Sequence, residues 1–101
     1  MRRSVVLLLL ALVLIGDMAR WPGQVVTWST ANEINVAGYI VDRSDSADGP
    51  WQRFSGLIVA QDDVFVAHDY RVADLEIERH WHRLSVITLD NTIEPLGVIA
   101  P

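Results

Sequence analysis

The apolar positions of this chain fall into two regimes. From Val5 to Gly16 they run unbroken, behind Met1-Arg2-Arg3 and ahead of Asp17. From Gln24 onward they come in short runs separated by polar, glycine and proline punctuation: 25–29, 38–43, 51–54, 57–60, 64–66, 70–72, 80–89 and 96–100. These runs are rich in β-branched and aromatic residues, and none keeps a helical period, so each is predicted to be a strand. The stretch from Asp74 to His82 is long enough for a short helix, but Trp81 and Leu84 continue it as strand. Eight short strands joined by turns predict an all-β antiparallel sandwich or barrel.

The first regime is predicted to be a helix with a different task. A basic start, a leucine-rich middle and an abrupt polar end describe a secretory signal. As a helix, residues 4–16 reach about 20 Å, short of the roughly 30 Å hydrocarbon core. A retained anchor would therefore continue to Trp21, with Arg2 and Arg3 on the cytoplasmic side and Trp21 at the far interface. No clean small-x-small cleavage site follows, so cleaved signal and signal-anchor both stand. Residues 1–21 are read as that leader and 22–101 as one domain, placed outside the cytoplasm at the outer face of the membrane. Residues 4–21 are the membrane contact if the leader is retained.

Charge and cysteine content narrow the function. The whole chain carries a formal charge of −5; past Arg20, five arginines face twelve carboxylates. Such a surface repels phosphate backbones, and nucleic-acid binding is not expected. There is no cysteine, which removes disulfides, thiolate nucleophiles and cysteine-ligated metal. A domain of this size stabilised by its core alone is expected to be marginal or helped by a partner.

Several pieces in order carry a resemblance: Val26-Thr27-Trp28-Ser29-Thr30-Ala31-Asn32-Glu33, Gly38-Tyr39-Ile40-Val41-Asp42-Arg43-Ser44, Asp48-Gly49-Pro50-Trp51, Tyr70-Arg71-Val72-Ala73-Asp74, His80 to Leu84, and Leu96 to Ile99. Together they resemble the fibronectin type III-like module of bacterial secreted and surface proteins, from about Val25 to Ala100. The resemblance implies an immunoglobulin-like sandwich. It also implies a first strand before Val25, for which only Arg20 to Gln24 is available, so that strand is expected to be missing or rudimentary. The tyrosine that opens the module's late strand is absent. Alternation from Leu84 and Val86 puts His82 and His80 on the core face in its place, with Trp81 and Arg83 on the other.

Candidate chemistry is sparse. His80-x-His82 could ligate zinc or copper, with His68 as a third ligand; the competing reading makes these histidines structural. The acidic loop from Asp42 to Gly49 fails the EF-hand spacing, with Ala47 at its sixth position and Arg53 at its twelfth. Its residues serve equally as turn formers. Asp62-Asp63 and Glu76/Glu78 read as a solvated rim, and no nucleophile or phosphate loop is evident. No catalytic residue, cofactor or metal is therefore expected. Trp21, Trp51 and Trp81, with Tyr39 and Phe65, cannot all be interior to so small a domain, whereas Trp28 is expected to be. Trp81, Arg83, Trp51 and Trp21 are the partner-binding candidates, since aromatics and arginine make binding patches. The expected function is a non-enzymatic accessory subunit docking on a larger envelope complex; the alternative is a secreted module that binds protein or carbohydrate.

Overall fold

A computed structural model describes residues 10–14, 23–61 and 65–101; for residues 10–14 it describes the backbone alone. Eight strands follow in order: β1 Leu10–Leu14, β2 Gln24–Thr30, β3 Val36–Ser44, β4 Gln52–Arg53, β5 Ile58–Val59, β6 His68–Asp74, β7 Trp81–Thr88 and β8 Ile93–Ile99. They form two antiparallel sheets. One runs β1-β2-β6; the other runs β4-β3-β7-β8, with β5 also paired to β3. The all-β sandwich expected from alternation is present. Among the described residues, no helix is long and apolar enough to cross a membrane.

The core lies between the sheets and follows period two. Val26 and Trp28 of β2 face Tyr39 and Val41 of β3 and Leu84 and Val86 of β7, all 5% exposed or less. Trp28, Tyr39 and Tyr70 form an aromatic trio, with ring centroids 5.0–5.4 Å apart. Burying each such side chain contributes about 1.5–3 kcal/mol. The ring contacts add about 0.5–1.5 kcal/mol per pair. Tyr39, grouped with the aromatic surplus by sequence, is wholly interior, whereas Phe65 is 78% exposed.

Two expectations change. The first strand is not missing: Leu10–Leu14 pairs with β2, Leu10 opposite Thr30 and Leu14 opposite Val26. Over those five residues the helical expectation gives way to a strand, because an apolar run has no period by which to separate the two. The rest of the leader, Trp21 included, lies outside the described residues. Secondly, no strand includes Phe65 or Val66, which occupy a turn and a bend; Val64 lies outside the described residues. The strand that follows starts at His68, where pairing with Thr30 begins.

Candidate functional site

Two buried carboxyl groups clasp the sheets together at opposite ends. The register of β2 on β6 fixes the ends, with Thr30 opposite His68 at one and Gln24 opposite Asp74 at the other. At the first end Glu33, from the β2–β3 turn, is fully buried. Its Oε2 accepts the hydroxyls of Tyr39 at 2.7 Å and Tyr70 at 2.5 Å. His68 Nε2 stands 3.6 Å from Oε1. Burial and the Glu33 carboxyl hold both phenols protonated, with Tyr70 pushed up to about 12 and Tyr39 raised by the same causes.

At the second end Asp74, 1% exposed, closes β6. His82 Nε2 donates to its Oδ2 at 2.9 Å, and Arg43 Nη1 donates to both oxygens at 3.1–3.2 Å. Burial raises the Asp74 carboxyl, but His82, the Glu76 amide and Arg43 outweigh it and hold it below the usual range. Burial also lowers His82, against the pull of Asp74. His82 is thus a neutral ring whose Nε2–H is committed to Asp74 and whose buried Nδ1 has no hydrogen-bond partner. Phe54 packs edge-on against this ring at 5.8 Å and carries the Arg43 guanidinium 4.9 Å above its own. Gly23 permits the closure: a Cβ there would sit 1.8 Å from the Asp74 carbonyl oxygen.

Outside this second end lies a polar cleft of about 330 Å³, lined by Arg43, Asp45, Gln52, His80 and the turn around Gly49. Gly49 has φ +89°, open to glycine at little cost. His80 Nδ1 lies 3.0 Å from Asp45, and Nε2 lies 3.1 Å from Glu76. On the outer face of β3 and β7, Asp42 accepts from Arg53 at 3.1 Å and from Arg83 at 2.9 Å. The Arg83 guanidinium also covers the Trp51 ring at 4.9 Å.

The sequence-derived candidates are therefore divided. Trp51 and Arg83 meet, and Trp81 lies two residues before Arg83 on β7, half-buried. The three histidines do not converge. His68 is at the Glu33 end, His82 is interior on Asp74, and His80, expected on the core face beside His82, lines the cleft instead. The cause is that β7 begins at Trp81, so the alternation stops one residue short of His80. Glu76, Glu78 and His80 bring one ligand atom each within 4.8 Å of one another, a set suited to a divalent ion. Asp62 and Asp63 lie outside the described residues. Glu33 and Asp74 enter the sequence analysis within the resemblance, and Asp42 also as the first position of the acidic loop; their role as the carboxyl groups that organise both ends and the outer face is not foreseen there. The available signal is His82, expected on the core face, where a buried imidazole needs a hydrogen-bond partner. No protein-family model, curated protein or solved structure matches the chain.

Proposed function

We propose that this chain is a non-catalytic accessory domain of fibronectin type III-like build. Its N-terminal apolar segment delivers it to, or holds it at, the outer face of the cytoplasmic membrane, where it docks on a larger envelope complex. The strand order supports this build: in chain order, strands one, two and six form one sheet and three, four, five, seven and eight the other, an arrangement compatible with an immunoglobulin-like sandwich. One contrast carries the functional reading. The buried carboxyl groups Glu33, Asp74 and Asp42 are each committed to neighbouring donors, while Phe65, Ile77, Leu89, Val59 and Leu75 each stand 64–80% exposed. Self-neutralised polar groups offer little for acid–base work, whereas apolar side chains held in water gain from being covered.

The half-exposed Trp51 ring under Arg83 favours a second reading, a secreted module that recognises protein or carbohydrate by stacking. Intact mass of the native protein from membrane and soluble fractions separates the two. A retained Met1 leader, with partners co-purifying from membranes, is the expected result. A monomer starting near Asp17 or Arg20 supports the secreted module and removes the accessory subunit.

A further inference from the structure

The sandwich has four lateral edges, and three are blunted against pairing with another chain. The edge strand β6 exposes Asp69 and Arg71. The edge strand β8 contains Pro95 and pairs with β7 through an irregularity between Leu84 and Ser85. Among the described residues, the free side of β3 is met by β4 and β5 alone, two residues each. Charges, proline, bulges and very short strands are the devices by which sheets avoid edge-to-edge association. Among the described residues, the β1 side of the first sheet has none of them. Both β1, Leu-Ala-Leu-Val-Leu, and the β2 stretch beneath it, Val26 to Thr30, are free of charge, proline and glycine.

A segment that lies in a membrane, or has been cleaved off, cannot also pair with β2. Resting on the reading above, in which the leader does one or the other, the edge of β2 from Val26 to Thr30 is then vacant. Its backbone donors and acceptors cost free energy if they are shielded from water without partners. We propose that this edge is the docking surface: it accepts an uncharged, apolar, extended strand of the partner protein, antiparallel to β2, in the place Leu10–Leu14 occupies here. The cis strand defines the occupant's chemistry: about five apolar residues, with main-chain hydrogen bonds supplying affinity and alternate side chains specificity. β1 and its trans counterpart are thus alternative occupants of one edge.

The test uses the full chain in mild detergent. Ala11 and Ser29 lie opposite each other in the β1–β2 register, and there is no native cysteine to interfere. The pair Ala11→Cys and Ser29→Cys is expected to close a disulfide within one chain on oxidation. The probe is a fluorescent synthetic peptide of sequence Leu-Ala-Leu-Val-Leu flanked by lysines. The unaltered chain and the reduced double variant should bind it alike, and the oxidised variant on the order of tenfold more weakly or less. The reduced form controls for folding. Equal binding by locked and unlocked chains, binding by neither, or failure of the disulfide to form would each overturn the proposal. An oxidised chain that still co-purifies with its membrane partners would overturn the exchange while leaving the accessory-subunit reading intact.

Discussion

The two ends of the interior solve one problem with opposite chemistry. Each must hold a buried carboxyl group, whose burial without partners costs several kcal/mol. The Glu33 end uses neutral donors, two phenols contributed by β3 and β6. The Asp74 end uses a neutral imidazole and a guanidinium from β7 and β3, and Arg43 keeps 26% of its side chain in water. The closed end is sealed against solvent and tied into the Trp28 cluster through its tyrosines. The second end opens onto the cleft. The first is sealed, and the second leaves its charged partner in reach of solvent.

Because the first end is sealed, Glu33→Ala is expected to be the most damaging substitution at either clasp. It removes the acceptor of two buried phenols and leaves a void, a loss of about 3–5 kcal/mol. Urea unfolding of the full chain reads this directly. Asp74→Ala should cost less, about 2–3 kcal/mol, because Arg43 can turn to Glu76 and water and the exposed Glu76 amide to water, while His82 is stranded. Equal losses would dissolve the distinction between the ends.

The same contrast predicts opposite pH limits. Asp74 and His82 are both held below their ordinary values in the folded state. The stabilisation they supply is complete above the ordinary histidine value of about 6.5. It is lost as pH falls, first through His82 and then, below the carboxylate range, through Asp74. Tyr39 and Tyr70 are raised, so their contribution is complete below about 10 and is lost as pH rises toward and past Tyr70's value near 12. Unfolding midpoints measured from pH 8 to 4 should fall, and His82→Asn should flatten the early part of that fall. An acid limb unchanged by that variant would assign it to other groups.

Sequence reading located the strands well because half-buried strands announce themselves by alternation: β2, β3 and β7 were read to within two residues at each end. Trp28, expected in the core, is there. The clasps were not legible. Glu33 sits in a turn outside any alternating run, and its partners are 6 and 37 residues away, a separation that no local pattern encodes. His80 was misplaced because alternation was carried one residue past the start of β7. Residues 10–14 are illegible for another reason: an uncharged apolar run fits a helix in lipid and a strand on β2 equally, and only the presence of an open sheet edge discriminates.

Smaller effects sharpen the picture further. Tyr70→Phe removes one of two donors to Glu33 while the ring stays stacked on Trp28, and should cost about 1–2 kcal/mol. A loss as great as that of Glu33→Ala would mean that Tyr39 does not hold the carboxyl group by itself. The least costly changes lie on the outer face. Arg53 is 52% exposed and shares Asp42 with Arg83, so Arg53→Ala should cost about 0–1 kcal/mol. Arg83→Ala should exceed it, since Arg83 is less exposed and also covers Trp51. Tryptophan fluorescence decides the point. Arg83→Ala should make Trp51 more accessible to a neutral quencher at little cost in stability, while Arg53→Ala leaves quenching unchanged. Equal quenching in both variants would mean that Trp51 takes no cover from Arg83, and the outer face would then be a set of independent side chains rather than a built surface.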